Sequence, residues 1–242
     1  MAAITSDMTR SERRPAKAGL TLRLEQGDRL SRAEFFRRCA AMPPNAKAER
    51  IEGMVHIAAA VTSEFHGQPH ADIMTWLGVY RAATPGVVAG DNSTVLLDTD
   101  NDPQPDACLR ILPTHGGRTR INKDGYIEGA PELIVEVTAS TVSFDLGAKL
   151  NTYRRNGVRE YVVYRVYDGE FDWFVLRQGN YVRVNPDAQN IYRSEMFPGL
   201  WLKADAFVAA NLAEVLSVLK TGLDSVEHQE FVSRLASATK TT

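Results

Sequence analysis

Asp106 follows Pro105, and Glu136 sits inside the apolar run Leu133-Ile134-Val135-Glu136-Val137, so both carboxylates stand where burial is costly. An unpaired carboxylate in such surroundings needs a cation or hydrogen-bond donors. A divalent metal is the natural partner. If the two β-like runs lie side by side, the carboxylates converge at one sheet edge as hard oxygen ligands suited to magnesium or manganese. Such a centre lowers the pKa of bound water and stabilises charge developing on a phosphodiester. Asp145, Lys149 and Tyr153 recur at four-residue steps and share one stripe of a predicted helix. With that stripe against the sheet, the Lys149 ammonium reaches the same carboxylates, to orient water or stabilise transition-state charge.

Plainer readings stand beside this one. Spacing alone favours Asp145 and Lys149 as an exposed helical ion pair worth about 0.3–0.5 kcal/mol. Asp106 by itself fits a turn residue, and Glu132 and Glu136 fit strand-end charges. His66 and His70 are four apart, a spacing that suits zinc on one helical face, but Gly67 and Pro69 argue against a regular helix there. His66 is better read as a polar residue near a catalytic mouth, or as a capping or surface histidine. Arg118, Arg120 and Lys123 could contact phosphates, although a solvated loop is the commoner setting for such charges. Arg154, Arg155 and Arg159 suit a helix C-terminus. Trp173, Trp201 and Tyr161 lie in apolar periodic contexts and read as core rather than as base-stacking platforms.

The elements that must position these groups are legible in outline. Ser31 and Glu34 have the spacing of a capping box, predicting a helix over 32–41 stopped by Pro43-Pro44. Two short strands around Gly53 are expected within 48–60, then a helix from Pro69 to Pro85 carrying Ile73, Trp76, Leu77 and Tyr80 on one face. Strands are expected over 87–89, 95–97, 107–112, 133–137, 159–166, 171–176 and 181–184, with a loop over 114–129 and a helix over 142–155. Amphipathic helices over 207–219 and 226–235 close the chain. This order predicts one mixed α/β (α+β-like) domain and no βαβ repeat.

With 242 residues, 44% hydrophobic and 24% charged, the chain suffices for one substantial core. A net charge of −2 excludes a global basic field of the kind that marks avid non-specific nucleic-acid binders. Cys39 and Cys108 are too few for a disulfide framework or a cysteine zinc site and suit a reducing compartment. No signal-peptide core or bilayer-length apolar run occurs, so a cytoplasmic protein without membrane association is expected. Residues 1–20 read as a disordered leader and 21–242 as a single domain ending in helices.

The run Gly129-Ala130-Pro131-Glu132-Leu133-Ile134-Val135-Glu136-Val137-Thr138-Ala139-Ser140-Thr141, with Asp145, Lys149, Tyr153, Gly157-Val158 and Glu160-Tyr161, resembles the Uma-type restriction endonuclease family of the PD-(D/E)XK nuclease superfamily. The likeness extends to Glu49-Arg50-Ile51-Glu52-Gly53, His66 and Pro105-Asp106 upstream and to Phe197-Pro198-Gly199-Leu200 downstream, roughly residues 30–220. It implies a restriction-endonuclease-like fold, a central mixed sheet flanked by helices, and metal-dependent phosphodiester hydrolysis of nucleic acid with magnesium or manganese. By position it makes Asp106 and Glu136 metal ligands, Glu49 an acidic residue contacting the metal directly or through water, and Lys149 the catalytic lysine. The chain departs from the superfamily pattern at Thr138, where lysine is usual, and lacks the usual proline between Ala139 and Ser140-Thr141. DNA is the expected substrate and a homodimer the expected assembly, with 171–176 and the helix from Phe207 as candidate interface segments. Two other readings remain: a catalytically silent nucleic-acid-binding or interaction module on the same fold, and a metal-stabilised structural domain.

Overall fold

The computed structural model describes residues 23–43, 46–58 and 62–239; the expected leader over 1–20 lies outside the described residues. Helix α1 (Arg32–Cys39) starts where the Ser31 hydroxyl accepts the Glu34 amide at 3.3 Å, the cap read from the sequence. Strands β1 (Ala48–Ile51) and β2 (Met54–Ile57) form a hairpin whose two turn residues, Glu52 and Gly53, both have positive φ, as a two-residue turn of this hand requires. A π-helical turn over Ser63–Gly67 runs without a break into α2 (Gln68–Ala83). The doubt about a regular helix between His66 and His70 is met in part: the chain is helical there, but His66 and Gly67 lie in the π-helical turn and the regular α-helix begins at Gln68. Pro69 falls in the first turn, where no amide donor is needed.

A six-stranded sheet follows from β3 (Val87–Asp91), β5 (Ala107–Ile111), β8 (Leu133–Thr138), β9 (Glu160–Arg165), β10 (Glu170–Arg177) and β11 (Asn180–Val184), in the order β11-β10-β9-β8-β5-β3. Within this sheet β8 and β9 are the one parallel pair. Their connection is helical: α3 (Val142–Phe144), a π-helical turn over Asp145–Lys149, and α4 (Leu150–Arg155). All six β8 residues are buried, because the strand is central and covered on both faces. On one face Leu133, Val135 and Val137 join α2 residues Ile73, Trp76, Leu77 and Tyr80; on the other, Ile134 packs with Tyr153, Val158, Tyr161 and Val163. Among the described residues no helix is long and apolar enough to cross a membrane.

Two expectations are adjusted. The 114–129 segment is not all loop: β4 (Val95–Leu96), β7 (Ile127–Glu128) and β6 (Arg120–Ile121) build a small sheet. Asn122, whose side-chain oxygen accepts the Asp124 and Tyr126 amides, makes the turn whose polar composition resembles an open loop. The helix expected over 207–219 is two, α5 (Ala204–Val208) and α6 (Leu212–Leu223), broken where Ala210 has positive φ and Asn211 caps α6. A short hairpin, β12 (Ile191–Arg193) and β13 (Trp201–Lys203), was too brief to show in the pattern. Helix α7 (Val226–Ala238) ends the described chain. Strand β10 lies between β9 and β11, and Phe171, Trp173 and Phe207 belong to the core.

Candidate active site

Ala107 pairs with Val135 across the antiparallel β5–β8 ladder, so one step outward Asp106 stands opposite Glu136. Pro105 ends the strand without offering an amide, and the Asp106 side chain turns to accept the Val137 amide at 2.8 Å. Two residues that are distant in sequence thus meet where β5 begins, between interior strands rather than at the expected sheet edge. Alternation then separates neighbours: Val135 and Val137 enter one core while Glu136 faces the α3–α4 connection.

The Lys149 ammonium is the hub of that face. It lies 2.9 Å from Glu136 Oε1, 3.0 Å from Glu49 Oε1 and 3.6 Å from Asp145 Oδ1. Asp145 and Lys149 are buried, so the pair is not the exposed helical pair that spacing alone favoured. The π-helical turn that contains both residues adds a residue to the turn and re-aims the stripe at the sheet. One turn on, the Tyr153 hydroxyl donates to Glu136 Oε1 at 2.9 Å. Glu49 arrives from β1, its other oxygen accepting the Gln104 amide at 3.1 Å.

Burial and the charges of Asp106, Asp145 and Glu49 push the Glu136 carboxyl well above its ordinary value, against the pull of Lys149. Burial raises Glu49 too, opposed by Lys149 and the Gln104 amide. Burial alone would lower Lys149, but Glu136, Glu49 and Asp145 raise it well above the ordinary value, so it stays charged. Tyr153 is pushed up by burial and by the Glu136 and Glu49 charges, which keeps its phenol a donor. Asp106 behaves differently. Burial would raise it, yet His66, the Val137 amide and Lys149 together hold it below its ordinary value.

His66 Nε2 lies 3.3 Å from Asp106 Oδ1, while His70 Nε2 lies 3.0 Å from the Asp106 carbonyl oxygen and 3.2 Å from Asp91 Oδ1. The two histidines therefore bracket Asp106. Thr138, which stands where the superfamily pattern has lysine, shares a 2.9 Å hydrogen bond with Thr141, whose hydroxyl donates to Asp145 Oδ2 at 2.7 Å. It supports the site through Asp145. Tyr153, Asp145 and His66 had no firm role in the sequence reading; the four-residue stripe through Asp145, Lys149 and Tyr153 was the available signal for the first two. Glu132 stays outside the site, accepting the Ile111 amide at 2.9 Å. Trp173 and Tyr161 are fully buried, as expected of core residues.

Among the described residues, no group of three or more His, Cys, Asp or Glu side chains forms a ready-made metal cage. Lys149 is the cation enclosed instead. The donor chemistry nevertheless fits a hard divalent ion: carboxylates of Glu49, Asp106, Glu136 and Asp145 act on one another around a single ammonium, and this excess negative charge adds to burial in raising Glu136.

A family model described as Uma2, "Putative restriction endonuclease", matches residues 32–205, a span that contains every residue of this cluster. No curated protein matches significantly. Among solved structures, one described as a putative nuclease belonging to DUF820 from Anabaena variabilis ATCC 29413 is similar, with a TM-score of 0.52 and 13% identity over 78% of this chain and 99% of that chain. At that identity the likeness is one of fold. The family match spans most of the chain, and the chain belongs to the Uma2 family of putative restriction endonucleases.

Proposed function

We propose that this protein is a nuclease that hydrolyses phosphodiester bonds in nucleic acid, with DNA as the expected substrate and magnesium or manganese as cofactor. The observation that carries the reading is the group of carboxylates around Lys149 beside the β5–β8 pair. Asp106, Glu136 and Glu49 would hold the metal, which when bound supplies Lewis-acid stabilisation of the phosphate and a water of lowered pKa. Asp106, held ionised by His66 and the Val137 amide, is the carboxylate best prepared to accept a cation. Tyr153 fixes the orientation of Glu136 through its hydrogen bond. Lys149, kept charged by its neighbours, stabilises negative charge on the phosphoryl oxygens as water attacks phosphorus and the ester oxygen departs.

Lys149 now bonds Glu49 and Glu136, two of the residues that would hold a metal. That fact favours a second reading, a catalytically silent nucleic-acid-binding module in which lysine replaces the metal. Purified protein assayed against single-stranded, double-stranded and branched DNA and RNA, with magnesium, manganese or chelator, separates the two. For the nuclease, Asp106→Asn lowers metal affinity and cleavage together, whereas Lys149→Ala keeps or tightens metal binding while turnover falls. Wild type that binds nucleic acid but cleaves none with any divalent ion supports the silent module. A homodimer, which would present two sites to the two strands of a duplex, and a cytoplasmic location complete the proposal; sedimentation showing only monomer at micromolar concentration would remove the dimer.

A further inference from the structure

Among the described residues, the large apolar side chains that stand exposed are Phe65, Val79, Ile121, Tyr167, Val182, Val208 and Val226. Single exposed aliphatic residues are ordinary surface. The two aromatic members are different because they stand together: the ring centroids of Phe65 and Tyr167 are 5.1 Å apart with planes inclined by 56°. They come from distant segments, the π-helical turn before α2 and the turn after β9.

Both segments lead straight into the candidate active site. Phe65 precedes His66, whose ring contacts the Asp106 carboxylate. Tyr167 follows Val166, whose amide donates 2.9 Å to the carbonyl of Thr138, two residues beyond Glu136 on the neighbouring strand. The pair therefore lies where the chain leaves the carboxylate cluster for solvent. Tyr167 keeps 66% of its surface exposed and Phe65 36%, even though they touch each other. Trp173 and Tyr161, by contrast, are spent in the core and offer no face to a ligand.

We propose that Phe65 and Tyr167 form a platform on which an unpaired base of the nucleic-acid substrate stacks, so that the site prefers single-stranded or locally opened strands. The proposal rests on the nuclease reading for its ligand. An aromatic face accepts any base without hydrogen-bond readout, and such a contact supplies affinity that the acidic cluster, repulsive to phosphate, cannot. A paired base inside a duplex has both faces covered by its neighbours and gains nothing from the platform.

The test is a fluorescence titration of the full-length protein with single-stranded and duplex oligonucleotides carrying 2-aminopurine, in magnesium, in manganese and separately in chelator, with cleavage followed on the same samples. Wild type should quench the probe in the single strand. The Phe65→Ala/Tyr167→Ala double variant should lose that quenching and about 5- to 150-fold in single-strand affinity, with duplex affinity changed less than about twofold. Tyr167→Trp, paired with native Phe65, should keep both. Circular dichroism and thermal melting of the double variant check that these surface changes leave the fold intact. Quenching and affinity unaltered in a folded double variant would overturn the platform, and the nuclease reading would survive if cleavage persists. Aromatic-dependent quenching without cleavage in any metal would support the platform and overturn the nuclease. Wild type that binds none of the oligonucleotides would overturn both.

Discussion

Glu49 and Arg50 are consecutive on β1, and strand alternation sends them into two different buried charge clusters. The Arg50 guanidinium is wholly enclosed, donating to Asp102 at 2.9 and 2.6 Å, to the Leu30 carbonyl at 3.1 Å and to the Thr99 carbonyl at 2.7 Å. Arg32 closes the other Asp102 oxygen at 2.7 Å. Two guanidiniums share the Asp102 carboxylate, both of its oxygens and all three Arg50 nitrogens are hydrogen-bonded, and the cluster ties α1, β1 and the 98–102 loop together. The Glu49 cluster is unbalanced, with several carboxylates competing for the one Lys149 ammonium. A satisfied buried cluster stabilises the fold, whereas one left with excess charge is held there by the surrounding structure and has capacity for a ligand.

Arg50→Met tests the structural side and should have the largest effect. It strips one Asp102 oxygen of both its donors and two carbonyls of theirs, so denaturant unfolding should show a loss of about 3–5 kcal/mol. A small loss would erase the distinction between the clusters. Glu160 offers a third kind of buried carboxyl, at the opposite end of the β8–β9 pair, that accepts only neutral donors: the Ser194 hydroxyl at 2.7 Å and the Glu195 and Met196 amides at 2.6 and 2.9 Å. Burial pushes it up to about 7 against the pull of those donors. The folded state then keeps a proton that the unfolded chain releases near pH 4.5, so this contribution is complete below that pH and is lost as pH rises through about 7. The loss is on the order of 3 kcal/mol, and Glu160→Gln should flatten the stability profile measured across that window.

Tyr153→Phe sharpens the contrast within the site. It removes one of the two hydrogen bonds to Glu136 Oε1, which should cost about 1.5–3 kcal/mol of stability and about 10- to 100-fold in metal affinity or cleavage rate. An unchanged rate would make the phenol purely structural. The smallest stability change belongs to Glu49→Gln. Relieving a crowded carboxylate should leave stability unchanged or raise it by less than about 1 kcal/mol while metal-dependent cleavage falls. Because the Glu49 carboxyl is raised in the folded state, wild type loses stability as pH rises above the unfolded carboxyl value, and the variant should lose less. Destabilisation of Glu49→Gln comparable to that of Arg50→Met would break the comparison outright.

Local signals carried much of this protein. The Ser31 cap, the Glu52-Gly53 turn, the apolar β8 run and the face of α2 depend on neighbours in the chain, and each element stands close to where its pattern puts it. The family likeness was legible for the same reason, since its motif residues fall in order along one stretch. Other features needed tertiary structure. Whether Asp145 and Lys149 form an exposed pair or a buried hub depends on the π-helical turn and on which face of the helix meets β8, and spacing specifies neither. The capture of Asp106 by the Val137 amide and His66, and the parting of Glu49 from Arg50, follow from strand register and packing between segments about 30 to 50 residues apart. Burial and charge balance are sums over such neighbours, so the sequence supplied the ionisable groups while the tertiary structure decided which of them share a site.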